Sequence, residues 1–245
     1  MRDSLEFSLI LKLLGAVRFT DVATDVQEAV GGSPGRRESN FTPYRYQSQL
    51  WVGAVLSAAG LAPRIPLRGA GKKPDYLFDI DRTQYALEVK RPLKAANIPS
   101  KIDEAVRQLE DYHVSGGVAV DVSDCLPDEL LYGYDRNAFE APHGPIDAAF
   151  TKLYRSVGDH LFSPINHHLR PAGRRLFFAV VFAQGWRWFR TRPIGPELYS
   201  TTRIGVFVSA KGNLRYWHAQ KISSAYIAGL RKTGLYPSRE TFETL

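Results

Sequence analysis

Apolar positions along the chain follow two periods. Leu5, Leu9, Leu13 and Val17 recur every fourth residue, with Ile10 and Leu14 beside them. That spacing places one apolar stripe on a helix over about 4–17. A second, short helix is expected over about 24–30. The run Gly31-Gly32-Ser33-Pro34-Gly35-Arg36-Arg37 is the clearest loop and the best place for a mobile segment. Over 44–60, Trp51, Val55, Ala58 and Ala59 give a further helix its apolar face. Pro43 suits its first turn and Gly60 its end.

The period then shortens. Residues 64–67 read as a short strand, 69–71 as a turn and 76–80 as a strand. Asp81-Arg82-Thr83 reads as a turn, and 84–90 as a second strand that Pro92 ends. A helix is expected over about 101–113, with Ser100 as its cap and Asp103 at the reciprocal capping-box position. Gly116-Gly117 breaks the chain ahead of an apolar strand over 118–122. The order helix, strand, strand, strand, helix, strand predicts an α/β or α+β sandwich around a mixed sheet. Farther on, the pattern predicts helical stretches within 145–168 and strands over 176–182 and 204–209. A weaker strand is expected over 214–218 and a terminal helix over 223–232. Residues 126–142 show no period and read as loop.

Composition narrows the class. With 245 residues, 44% hydrophobic and 23% charged, the chain has ordinary globular values. One domain over 1–245 is expected. Its core would span about 40–125, with a helical extension over 1–39 and additions over 126–245 that decorate the core or complete its sheet. The net charge of +7 favours a polyanionic partner. Cys125 is the only cysteine, which excludes an intrachain disulfide and a cysteine-based zinc cluster. It reads as a small packing residue. No apolar run approaches the length of a membrane span. Glu6 and Lys12 within the first helix argue against a signal peptide. A cytoplasmic location is the expectation, with no membrane partner.

Three residues of the hairpin carry chemistry. With Arg82 at its centre, antiparallel pairing sets Asp75 across from about Val89, within one residue of Glu88 and Lys90. Side chains alternate along a strand, so Glu88 and Lys90 share a face while Leu87 and Val89 point the other way. Two carboxylates and an ammonium can thus gather at one end of the hairpin. Magnesium takes oxygen ligands and commonly one or two carboxylates with several waters. Asp75 and Glu88 can supply these, with the Val89 carbonyl as a further oxygen. Lys90 can orient an attacking water or stabilise negative charge. The set suits phosphodiester hydrolysis with Mg2+ or Mn2+. The plainer alternative is a surface hairpin with a solvated ion pair, worth about 0–1 kcal/mol. Against it, Glu88 and Lys90 lie in an otherwise apolar strand and are followed by another cation, Arg91.

Lys73-Pro74-Asp75, twelve further residues, then Glu88-Val89-Lys90 resembles the signature of the PD-(D/E)xK nuclease superfamily. The family core of helix, three strands, helix and strand is similar to the order expected here. Gln108-Leu109-Glu110-Asp111-Tyr112 is similar to the Q-x-x-x-Y motif of RecB-like exonucleases in that superfamily. Residues four apart share a helix face, and the resemblance implies that Gln108 and Tyr112 contact DNA or order the site. The plainer role of that helix is to give Val106, Leu109 and Tyr112 to the core.

The resemblance implies a restriction-endonuclease-like fold, metal-dependent cleavage of nucleic acid (DNA before RNA), and a role in bacterial defence or DNA processing. Arg91 is a further residue for nucleic-acid binding or support. Many family members carry a metal-binding glutamate in the first core helix, but residues 44–60 contain no acid. Gln47 or Gln49 is the stand-in there, or Glu28 or Glu38 from the preceding segment. The missing glutamate also motivates the alternative of an inactive nuclease-like module that binds nucleic acid or a protein. Homodimerisation, or a partner that supplies recognition or a motor, fits either reading. No P-loop is present in the sequence.

Other groupings are weaker. His160, His167 and His168 lack a carboxylate at matching spacing for zinc. Asp159, His160 and Ser163 make a triad only on paper. Trp186-Arg187-Trp188-Phe189-Arg190-Thr191-Arg192 alternates aromatic and basic residues. It reads as a hairpin with a buried aromatic face and solvated arginines, or as a surface on which bases stack.

Overall fold

Two residues close the first hairpin. Asp81 and Arg82 take φ of 49° and 67°, as in the mirror-image turns whose twist matches paired strands. Strand β1 (Tyr76–Ile80) then pairs with β2 (Thr83–Lys90), with Ile80 opposite Thr83 and Tyr76 opposite Leu87. The spacing predicts a three-residue turn. The shorter turn moves the register, so that one step beyond Tyr76 Asp75 comes level with Glu88 rather than Val89.

The computed structural model describes residues 42–66, 73–136, 143–162, 176–191, 195–200, 202–208, 214–232 and 239–244. The helices expected over 4–17 and 24–30, the Gly31–Arg37 run and the turn at 69–71 lie outside them. Helix α1 (Thr42–Ala58) precedes the hairpin. The strand expected over 64–67 is reduced to one bridge from Arg64 to Leu77.

Helix α2 (Ile98–Tyr112) carries the chain to β3 (Gly116–Asp121), which lies parallel to β2. A parallel neighbour requires such a crossover. Pro99 occupies the first turn of α2, so the helix starts ahead of Ser100. The expected capping box does not form: the Ser100 hydroxyl donates to the Asn97 carbonyl at 3.0 Å, and Asp103 pairs with His160 at 2.9 Å. Gly116 and Gly117 open β3 rather than interrupting the chain. A Cβ on Gly116 would lie 2.0 Å from the Ala86 carbonyl oxygen of β2, so close approach of the two strands, not a turn, requires glycine there.

The connection from β3 holds α3 (Asp128–Leu131), β4 (Tyr132–Asp135) and α4 (His143–Phe162), and leads to β5 (Leu176–Ala183). β5 pairs parallel with β3, β8 (Arg203–Val208) antiparallel with β5, and β9 (Arg239–Thr244) parallel with β8. The result is an α/β arrangement around a mixed six-stranded sheet in the order β1-β2-β3-β5-β8-β9. One face, with Tyr85, Leu87, Val89, Phe178 and Val180, packs on α1 and on Ile222 of α5 (Leu214–Lys232). The other, with Ala86, Val118, Val120 and Val181, packs under α2 and α4. Burial on both faces gives β3 and β5 their unbroken apolar runs.

Two sequence readings change. Residues 214–218 begin α5 instead of forming a strand. His218 and Ile222 are buried one turn apart while Trp217 and Lys221 are exposed, a helical spacing that five residues alone do not reveal. The loop expected over 126–142 contains α3 and β4. β4 joins β6 (Trp186–Thr191) and β7 (Gly195–Ser200) in a second, three-stranded sheet. Its partner lies far along the chain, Tyr132 opposite Trp186, so no local period announces it. Among the described residues no helix is long and apolar enough to cross a membrane.

Gly116→Ala is expected to cost about 1–3 kcal/mol, as overpacking does. Gly144→Ala, where a Cβ meets nothing within 4 Å, should stay within about 0.5 kcal/mol of wild type. Urea unfolding of the two variants checks this. Equal stability of Gly116→Ala and wild type would contradict the close β2–β3 approach.

Candidate active site at the carboxyl edge of the sheet

β2, β3 and β5 are parallel, so Lys90, Asp121 and Ala183 end them at one edge. In open α/β sheets, ligands bind outside the carboxyl ends of the strands. Asp75 reaches the same edge from the other direction, because β1 runs antiparallel to β2.

Alternation along β2 sends Glu88 and Lys90 toward α2. Glu88 is fully buried, and Asp75 and Lys90 are 6% and 4% exposed. Asp75 is held from two sides. Its Oδ2 accepts the Val89 N–H at 2.7 Å, and its Oδ1 accepts from the Gln49 side-chain amide of α1. Gln49 is thus the α1 glutamine that touches Asp75. The Oε1 atoms of Gln49 and of Gln47, both buried, have no hydrogen-bond partner among the described residues.

Lys90 meets three oxygens. Its Nζ lies 3.0 Å from Glu88 Oε2 and 3.4 Å from Glu104 Oε1, and it donates to Gln108 Oε1. An ammonium has three donors; two of them serve hydrogen bonds to Glu104 and Gln108, and Glu88 is held as an ion pair. Gln108 therefore stands at the site. Tyr112, one turn later, is half-buried against the apolar core beneath α2. Glu104 is absent from the sequence-based set, although it lies four residues before Gln108, and that spacing on a charged helix face is the signal that identifies it. Burial opposes ionisation of Glu104. The hydrogen bond from Lys101, at 2.8 Å, and the charges of Lys90 and Lys101 outweigh it, and the carboxyl falls to about 2.

Arg91 turns to the α1 side. It is buried, with Nε 2.7 Å from Asp124 and Nη1 3.6 Å from Asp121 and 3.3 Å from Ser48 Oγ. Ser48 donates to Asp121 at 2.6 Å. Arg91 therefore braces α1 against the ends of β2 and β3. Ser48, Asp121 and Asp124 carry no sequence signal beyond Asp121 ending an apolar strand.

The remaining sequence-selected groups separate. His160 joins α4 to α2 through Asp103, while Ser163, His167 and His168 lie outside the described residues. The Cys125 thiol donates to the Pro92 carbonyl at 3.4 Å. Burial, with Asp124 and Asp121 nearby, pushes it up to about 12, far from a reactive thiolate. Arg187 is not solvated. It forks onto Asp135 with two bonds of 2.7 Å and donates to the Tyr132 and Glu129 carbonyls.

Asp75 and Glu88 stand level across β1 and β2, and carboxylates are the ligand type a hard divalent cation takes. Among the described residues no three His, Cys, Asp or Glu side chains group to hold a metal. A cation here would complete its shell with water and substrate oxygens, as magnesium ordinarily does. Around Lys90 stand the carboxylates of Glu88 and Glu104, the latter also paired with Lys101, and Asp75 adds a third carboxylate at the same edge. The excess of negative charge fits a cation.

No protein-family model, curated protein or solved structure matches this chain.

Glu104 links the site to acid stability. Its folded pKa lies below the ordinary 4.5, at about 2. Its stabilisation is therefore present above pH ~4.5 and lost as pH falls toward ~2. The stability difference between wild type and Glu104→Gln, followed by urea unfolding, should be constant at neutral pH and shrink across that window. A difference independent of pH would show that the Glu104 carboxylate is not held by the two lysines.

Proposed function

We propose that the chain is a divalent-metal-dependent nuclease of the PD-(D/E)xK type with a restriction-endonuclease-like core, and that it hydrolyses phosphodiester bonds in DNA. The reading rests on one observation: Glu88 and Lys90 are a buried ion pair at the carboxyl edge of β2, and Asp75, also buried, stands level with Glu88 across the hairpin. The order α1, β1, β2, α2, β3 supports it in part, with the first of the three expected strands reduced to the Arg64–Leu77 bridge.

Asp75 and Glu88 would hold Mg2+ or Mn2+, with the Val89 carbonyl as a further oxygen, and the metal would acidify a bound water and stabilise charge on a phosphate oxygen. The chain supplies the rest. The Val89 N–H and the Gln49 amide fix the Asp75 carboxylate. Gln108 and Glu104 aim the Lys90 ammonium from α2. Lys90 orients the attacking water, or donates to the phosphate oxygen on which charge develops. The wall of α2 restricts water around the ion pairs, which strengthens them.

A second reading has its own observation. α1 carries no acid, and its Gln49 reaches Asp75 where family members place a metal-binding glutamate. A binding module without catalysis would retain the same net charge of +7.

The test is cleavage of linear and circular DNA, single- and double-stranded, with magnesium, manganese or EDTA. Metal-dependent cleavage by the wild type, falling at least about a hundredfold in Lys90→Ala and Glu88→Gln with the fold intact by circular dichroism, supports the nuclease. Absence of cleavage in every condition, with DNA still bound, selects the binding module.

A further inference from the structure

We propose that the second sheet presents a stacking platform for an unpaired nucleic-acid strand, formed by Tyr134, Trp188 and Arg190. The proposal names the substrate class of the site above and rests on that reading for its biological sense.

The two faces of this sheet differ. On one, Arg187 lies over Gly133 and forks onto Asp135. A Cβ on Gly133 would come within 2.9–3.0 Å of the guanidinium, so this face is closed by its own ion pair. Tyr134 and Trp188 alternate to the opposite face, where they are register partners across parallel β4 and β6. Neighbouring strands lie ~4.8 Å apart, so the two side chains leave adjacent positions on that face. Tyr134 is 58% exposed, unusual for a large ring. Trp188 is half-buried, and Arg190, two residues on and on the same face, is exposed.

Exposed aromatics stack on bases of any sequence, and an arginine beside them meets the phosphate. The charge of +7 complements that ligand. A duplex hides its base faces within the stack, whereas an unpaired strand offers them.

The platform is fixed to the candidate site by a continuous chain of bonds. The Tyr132 hydroxyl donates to the Gln184 carbonyl at 3.1 Å, and the Gln184 N–H donates to Ser123 Oγ at 2.9 Å. The Ser123 N–H donates to Asp121 at 3.0 Å, and Asp121 faces Arg91, the residue after Lys90. A strand lying on Tyr134 and Trp188 is thereby held in fixed relation to the edge bearing Glu88 and Lys90.

The test uses the full chain in EDTA, with a labelled oligothymidylate and a duplex of equal length, read by fluorescence anisotropy. Tyr134→Ala should weaken single-strand binding about 5- to 150-fold, leave duplex binding unchanged and keep the thermal melt of wild type. Tyr134→Phe should bind within about twofold of wild type, and Arg190→Ala should lower the salt dependence. Wild-type affinity in Tyr134→Ala, or an equal loss on duplex, would overturn the platform; the first outcome would point to a protein as the partner of this face. Cleavage without a Tyr134 effect sinks the platform alone. A Tyr134 effect in EDTA, with no cleavage of any DNA when magnesium or manganese is supplied, sinks the nuclease reading alone.

Discussion

The fully buried carboxylate of Glu88 is the constraint around which the sheet edge is built. An ion in an apolar interior costs several kcal/mol unless a partner and good hydrogen bonds compensate it. Lys90, two residues along and therefore on the same face, is that partner at 3.0 Å. The ammonium is itself buried and needs further acceptors. α2 is placed so that Glu104 and Gln108, one turn apart, both reach it. Glu104 is then kept charged by Lys101 at the outer rim. The apolar face of α2 (Ile98, Ile102, Ala105, Val106, Leu109) seats the helix on the sheet, and Glu104 and Gln108 then meet the buried charge.

Apolar residues of equal volume would commonly stabilise such an edge as well or better. Local rules are broken mostly where a protein carries out its function. The edge breaks them twice, because Arg91, Asp121 and Asp124 form a second buried ion system on the other side of β2. That system ties α1 to β2 and β3 through Ser48 and reaches the small sheet through Ser123 and Gln184. The two systems differ in kind. One keeps two carboxylates and an ammonium together. The other links α1, β2 and β3 by charged and polar bonds beside the apolar cluster that Val89, Ala119 and α1 also share.

The sequence made some of this legible and not the rest. Alternation along 84–90 is enough to place Glu88 and Lys90 on one face, because the strand period is 2 and the strand is long. It could not fix the turn. Asp81 and Arg82 adopt positive φ without glycine, which removes the usual marker, and the register of Asp75 moved by one residue as a result. Gln108 was readable from its motif spacing, but its contact with Lys90 depends on how α2 crosses the sheet. Glu104 was visible only as one of several charges on a helix. β4 was hidden because four residues carry too little pattern and pair with a strand more than fifty positions away. Arg187 looked solvated because its alternation with tryptophans is real. What decides its burial is Asp135, a residue in that same illegible stretch.

The neighbouring cations Lys90 and Arg91 show why these positions are not interchangeable. A guanidinium is a planar fork that matches carboxylates and stays charged, which suits Arg91 as a brace between Asp124 and Asp121. An ammonium is a compact charge on a flexible stem with three rotatable donors, which suits Lys90 to meet oxygens of Glu88, Glu104 and Gln108 from several directions. Alternation sends the first to the α1 side and the second to the α2 side. One residue step on a single strand thus separates the planar fork from the flexible ammonium. The order Lys-Arg at the end of β2 matches each cation to its side: reversed, the fork would face Glu88 and Gln108, and the flexible ammonium would be left to join α1 to β3.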